Sequence, residues 1–476
     1  MKKIICVLLS ILVLLPILFS CAQGDSIETE TNDSITTEEA LPIETKDLGG
    51  KTYSILSTPS NYGVTAIIVE DSATVLNAAI FKRNELVKER LNIDISVEEE
   101  ETPNKMDNAI SIIATSGDLT YDLYYGNSSH IMPLSTKGYL EKASKLENVK
   151  YGEAWWNAVA SEKISINGDT YALIGDADLH WYESIYITVY NKDIAATEQI
   201  PDLAEVAVSG NWTWEMMYQY STDTYVDKDN SGSKTDGDRF GFATGFNLAG
   251  IALLSSGETI MNYDENNYPS FIGFSERTVD IFTNIKKWFY DPNSSFVSPR
   301  DNNLFETVTT FHDVFVRGDA LFYSEPIGSL QKLKDVDYEF TVLPVPKYDA
   351  DDDYITTVMH YAYSFGIPTA TKDYEGLGIF IDNLMYQSYV DVIPNYLEQI
   401  VSLQRVRNED SYRMLNDIVF KSEMTISMLQ MYDFNGLNTA IRECAVGNDS
   451  RNITTVGASL SRGMDAAIAK ALGVKE

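Results

Sequence analysis

The stretch LNAAIFKRNELVKERLNIDISV, Leu76 to Val97, changes its apolar period part-way along. Leu76, Ile80, Val87 and Leu91 recur at spacings of four, seven and four, which places them on one face of a helix. From Ile93 the pattern becomes alternation, with Ile93, Ile95 and Val97 on one side of a strand. Working outward, KTYSILS follows the Gly49-Gly50 break and alternates Tyr53 and Ile55 as a strand. On the other side comes a helical patch at Ala109, Ile110 and Ile113, and then a third strand in YDLYYG, Tyr121 to Gly126. The order strand, helix, strand, helix, strand predicts an α/β fold with a parallel sheet under covering helices. Ligands are then expected beyond the carboxyl ends of its strands. SIYITVYNKD, Ser184 to Asp193, is a β-branched and aromatic run that suits a buried or crossing strand.

The N-terminus fixes the compartment. Lys2 and Lys3 precede an apolar run from Ile4 to Phe19, too short for a span of about 20 residues and flanked as an export signal, residues 1–20. LFSC, Leu18 to Cys21, resembles the bacterial lipobox, which implies cleavage before Cys21 and lipid on its sulfur. Residues 21–48 then predict an acidic flexible tether, because eight Asp or Glu face Lys46 alone between residues 22 and 48 and no aromatic is present. With Cys6 in the signal and Cys21 lipidated, only Cys444 remains, so no disulfide framework is available. A formal charge of -34 repels phosphate backbones and anionic lipid, which excludes nucleic-acid binding and leaves the lipid anchor as the membrane contact.

DKDNSGSKTDGD, Asp227 to Asp238, has the spacing of a calcium loop. Asp227, Asp229, Ser231, the Ser233 carbonyl, Thr235 and Asp238 fall at positions one, three, five, seven, nine and twelve, with Gly232 at the turn. Ser231 replaces the usual Asp or Asn, and Asp238 the bidentate Glu; a solvated Asp-Ser-Gly turn is the alternative. No second loop of this spacing is present, which argues against a sensor.

YDLYYGNSSHIMPLSTKGYLEKASKL, INGDTYALIGD…YITVYNKDI, SGNWTWEMM, FVRGDALFY and YEFTVLPVPKYD occur in the order found in extracellular solute-binding lipoproteins of ABC importers, and the chain resembles their carbohydrate-binding group from about residue 51 onward. The resemblance implies a two-lobed periplasmic-binding-protein-like fold with crossing hinge segments, closing on a solute and handing it to permease subunits. It implies an N-lobe of residues 51–183 plus 314–362, a C-lobe of 184–313 plus 363–476, and a monomer. For the loop Asp227 to Asp238 it implies a static Ca2+ brace.

Sugar recognition needs flat aromatics for ring faces and planar polar groups for hydroxyls. GDADLHWYE, Gly175 to Glu183, combines both just before the crossing strand, so Asp178, His180, Trp181 and Tyr182 are expected to line the cleft. Tyr125 with Asn127, Tyr323 with Glu325, and His360 with Tyr361 stand at strand ends or crossings and complete the expected wall. The alternative for Trp181, Tyr182, Tyr323 and Tyr361 is core packing. Trp212 and Trp214 are expected in the core, with Asn211 capping the helix that WTWEMM opens, whereas Trp155 and Trp156 are open to either role. The chain contains no H-E-x-x-H, G-x-S-x-G or G-x-x-x-x-G-K-[ST], so no enzyme is expected. A secreted hydrolase using a carboxylate pair is the rival reading.

Overall fold

The computed structural model describes residues 41–60, 66–67, 74–235, 237–245, 247–289, 296–297, 310–359, 362–398, 405–425, 432, 434–446 and 452–472. The signal segment 1–20 and Cys21 lie outside them, as do His360 and Tyr361. No helix among the described residues is long and apolar enough to cross a membrane.

The change of period at Leu91–Ile93 is a helix end. Thr74 caps the helix Val75–Leu91 by accepting from the Asn77 N–H, and Asn92 stops it in the left-handed conformation with its own N–H turned back to Glu89 and Lys88. An Asn tolerates that geometry because its short polar side chain adds little steric cost. The chain leaves directly into the strand Ile93–Glu99, which pairs in parallel with Lys51–Ser57. Lys51–Ser57 pairs in parallel with Leu123–Asn127 on its other side. Tyr53, Ile55, Val87, Leu91, Ile93 and Ile95 meet in one core, so both apolar periods are used against each other.

Among the described residues there are two five-stranded sheets. The first is completed by Tyr363–Pro368, antiparallel to Leu123–Asn127, and by Leu140–Glu141. In the second, Ala320–Pro326 lies between Tyr186–Asn191, antiparallel to it, and Phe240–Thr244, parallel to it. Phe340–Leu343 and Phe296–Val297 form its edges.

This pairing corrects the lobe segments expected from sequence. Residues 320–343 belong to the second sheet, not with 51–183, and the chain returns to the first sheet only at 358–363. Tyr363–Pro368 and the helix Tyr374–Gln387 pack on the first sheet, although 363–476 was expected in the other lobe. A strand that is apolar on both faces, as ALFYS is, fits the middle of either sheet, and only its hydrogen-bonding neighbours decide which. The tether is also shorter than expected: Ile43 is buried, the Leu48 N–H donates to the Leu91 carbonyl at 2.8 Å, and the Asn383 amide donates to the Glu44 carbonyl at 2.8 Å.

Trp212 and Trp214 are fully buried, as expected, with their indole N–H groups donating to the Pro344 carbonyl and to Ser255 Oγ. Asn211 is not the cap, however. Thr213, two residues further along the chain, holds that position, its Oγ accepting from the Met216 N–H.

Candidate functional site

The segment Gly175–Ser184 leaves the first sheet and enters the second, and its start is pinned by close backbone approach. Gly175 pairs with Trp156, and a Cβ there would meet the Trp155 carbonyl at 2.6 Å. Asp178 then turns the chain, its Oδ1 accepting from the His180 N–H at 3.0 Å. The same oxygen accepts from the Tyr125 hydroxyl at 2.7 Å, and His180 Nδ1 stands 2.9 Å from that hydroxyl and 3.2 Å from Asp178 Oδ1. All three side chains are buried. Burial, reinforced by the Asp178 charge, holds the Tyr125 hydroxyl well above its usual pKa, so it remains a donor. The His180 ring stacks on Tyr363 at 3.9 Å between centroids and 7° between planes, and Tyr363 in turn donates to the Pro59 carbonyl. Three expected residues, Tyr125, Asp178 and His180, thus gather at the carboxyl end of the first sheet.

Nearby stands a buried cation that the sequence reading missed. Arg83 donates to Asn84 Oδ1, Ser388 Oγ and the Ala66 carbonyl. Burial pulls its pKa down to about 9, opposed by Tyr125.

The other members of the expected wall are placed differently. Asn127 ends its strand, where its Oδ1 accepts from the N–H and hydroxyl of Ser129 and so caps the next helix. Trp181 is buried in the core of the second sheet, with its indole N–H on Met424 Sδ at 2.9 Å. Tyr182 donates to Asp176 Oδ1 at 3.2 Å; burial pushes that carboxyl up to about 7 against the pull of this bond. Tyr323 stacks on Phe315 at 4.9 Å and shares a 2.6 Å hydrogen bond with His312 Nδ1, so it packs as a core tyrosine. Trp155 and Trp156 both donate to buried Asp382 Oδ1, at 2.9 and 2.7 Å, and are structural.

At the carboxyl end of the second sheet, Glu325 Oε1 accepts from the Gly245 N–H at 3.2 Å. Burial lifts the Glu325 carboxyl to about 8, against the opposing pull of the Gly245 N–H and Lys332.

The crossings are tied to each other. The Met359 N–H donates to the Ser184 carbonyl at 2.9 Å, and Ile185 bridges Val358. Fully buried Glu183 accepts from Arg405 Nη1 on both oxygens at 2.7 Å and from the Tyr396 hydroxyl at 2.7 Å. Arg405 and Tyr396 come from the C-terminal part of the chain, where no sequence pattern marked them.

Residues 81–379 match the family model described as bacterial extracellular solute-binding protein. The chain belongs to that family. Solved structures share its two-lobed fold. An ABC substrate-binding protein of Listeria monocytogenes in complex with cycloalternan aligns at TM-score 0.57 and 14% identity, over 90% of this chain and 100% of that one. Maltose-bound MalE3 of T. maritima aligns at 0.55 and 11%, over 88% and 100%. The GacH receptor of Streptomyces glaucescens, solved unliganded and with acarbose, aligns at 0.56 and 13%, over 88% and 98%. None of the curated proteins compared matches the sequence. The matched family is one of solute-binding proteins.

In the loop Asp227–Asp238, carboxylate oxygens of Asp227, Asp229 and Asp238 lie within 4.8 Å of one another. Calcium contacts oxygens at about 2.3 to 2.6 Å, so one ion can touch all three. Gly232 at φ 70° makes the turn, while Asp227 accepts from the Ser231 and Gly232 N–H groups. Asp238 is buried and accepts from Tyr225, Lys228 and Thr235. The donor set is all oxygen and fits a hard cation.

Proposed function

We propose that the protein is a lipid-anchored receptor that captures a sugar or oligosaccharide between its two sheets and delivers it to the membrane subunits of an ABC importer. The observation that carries this reading is the Tyr125–Asp178–His180 cluster, which sits at the carboxyl ends of strands, where α/β sheets bind ligands, and on the segment that crosses between the sheets. A ligand held there touches the hinge itself, so its binding energy acts on the relation between the lobes. The sugars named for the similar structures support a carbohydrate as the solute. Glu325 and Asn127, at the two sets of strand ends, extend the proposed wall, and His360 and Tyr361 belong to the same proposal.

The anchor rests on LFSC at the end of the export signal, which supports a protein outside the cytoplasmic membrane with lipid on Cys21. The loop Asp227–Asp238 would hold Ca2+ through Asp227, Asp229, Ser231, the Ser233 carbonyl, Thr235 and Asp238. There the ion supplies charge neutralisation and a rigid brace.

A thermal-shift screen over mono- and oligosaccharides and short peptides tests the reading, because a ligand bound only by the folded state raises the melting midpoint. A sugar that raises it and is recovered uncleaved supports the proposal. Stabilisation by peptides alone, or release of sugar fragments, defeats it.

A further inference from the structure

The cluster also says which face of a solute it accepts, given the sugar-binding reading above. A tyrosine hydroxyl carries one proton, and the 2.7 Å contact to Asp178 Oδ1 uses it, since two bare oxygens would repel at that distance. His180 Nδ1 lies 2.9 Å from the same hydroxyl oxygen and 3.2 Å from the same carboxylate oxygen, so it faces two acceptors and must carry its own hydrogen. In the neutral ring the hydrogen on Nδ1 leaves Nε2 as a lone pair. Asp178 Oδ2 and His180 Nε2 are both buried and have no hydrogen-bond partner among the described residues. A buried polar atom without a partner costs free energy until something supplies the missing bond. The hydrogen bonds of Arg83 go to Asn84, Ser388 and Ala66, none to Asp178 or His180.

We infer that Asp178 Oδ2 and His180 Nε2 form an acceptor pair that takes two donors from the solute, which selects a neutral polyol or sugar face and rejects a carboxylate or phosphate at this subsite. A vicinal diol supplies two O–H donors. A uronic acid turned this way brings a second anion against the Asp178 carboxylate.

Two measurements test this. In the first, calorimetric titration compares glucose, galactose and mannose, and the neutral disaccharides built from them, with the matched uronic acids. At least one neutral sugar is expected to bind, with its uronate at least tenfold weaker; Asp178→Asn, which turns an acceptor into a donor group, should weaken the neutral sugar at least tenfold while the melting midpoint stays within a few degrees. Equal or tighter binding of the uronate, or an unchanged constant in Asp178→Asn, overturns the inference. In the second, nitrogen NMR of the ligand-free protein, assigned with a His180→Gln variant, should find the Nδ1–H form of His180. An Nε2–H ring overturns the inference whether or not a sugar binds. If no sugar binds but the ring is Nδ1–H, the sugar reading fails and the acceptor pair stands.

Discussion

Two acidic stretches, GDADLHWYE and DKDNSGSKTDGD, have opposite physical fates. In GDADLHWYE, Asp178 and Glu183 are fully buried and answer to tyrosines and an arginine from distant parts of the chain. In DKDNSGSKTDGD, Asp227 and Asp229 accept from backbone N–H groups a few residues away, and only Asp238 is buried. The first stretch joins elements together; the second folds on itself. The difference lies in the neighbours: Leu179, Trp181 and Ile185 pull their segment into a core, whereas Lys, Asn, Ser and Gly leave the loop at the surface. An acid beside aromatics therefore becomes a tie or a ligand contact, and an acid beside glycine and serine becomes a turn or an ion site.

The sharpest way to break this comparison is to remove the tie. Glu183→Ala leaves Arg405 buried without its carboxylate and is expected to cost about 3 to 5 kcal/mol in denaturant unfolding, as for other broken buried ion pairs. A loss below about 1 kcal/mol, the scale of surface pairs, would place Glu183 with the loop acids. Asp178→Asn comes next. Its predicted tenfold or greater loss of sugar affinity corresponds to about 1.4 kcal/mol or more, with stability little changed. For the loop, chelation or the double change Asp227→Asn and Asp229→Asn should lower the melting midpoint by a few degrees and leave the sugar constant within a few-fold, because a folded-state ion stabilises only by its own occupancy. An unmoved midpoint would reduce the loop to a solvated turn.

A pH slope from Glu325 is a separate expected effect. Its folded-state pKa, about 8, lies above the ordinary glutamate value. Between those two values the unfolded chain has released a proton that the folded chain keeps, so stability falls as pH rises through this window. Glu325→Gln should flatten the slope. An identical slope in the variant would assign it to another group, with Asp176, at about 7, the first alternative.

The periodicities made the first sheet legible, because Val75–Leu91 and Ile93–Glu99 bury one face each and a half-buried element writes its period into the sequence. The placement of Ala320–Pro326 was not legible, since a strand buried on both faces carries no such mark. Within the proposed site, the composition of GDADLHWYE did not distinguish polar contacts from core packing. Asp178 and His180 kept free polar atoms, while Trp181 went into the core with its N–H on Met424. The ties of Arg83 to Ser388 and of Tyr396 and Arg405 to Glu183 were invisible because those partners lie hundreds of residues away, and no local spacing encodes such a meeting.

The central claim is that this chain holds a sugar at the Tyr125–Asp178–His180 cluster without transforming it. Isothermal titration of neutral oligosaccharides into the wild-type protein and Asp178→Asn, with the sugars recovered and chromatographed afterwards, tests it most directly. The account predicts saturable one-to-one binding by the wild type, intact sugar on recovery, and at least tenfold weaker binding by the variant. Cleaved sugar, or equal constants for the two proteins, would contradict it.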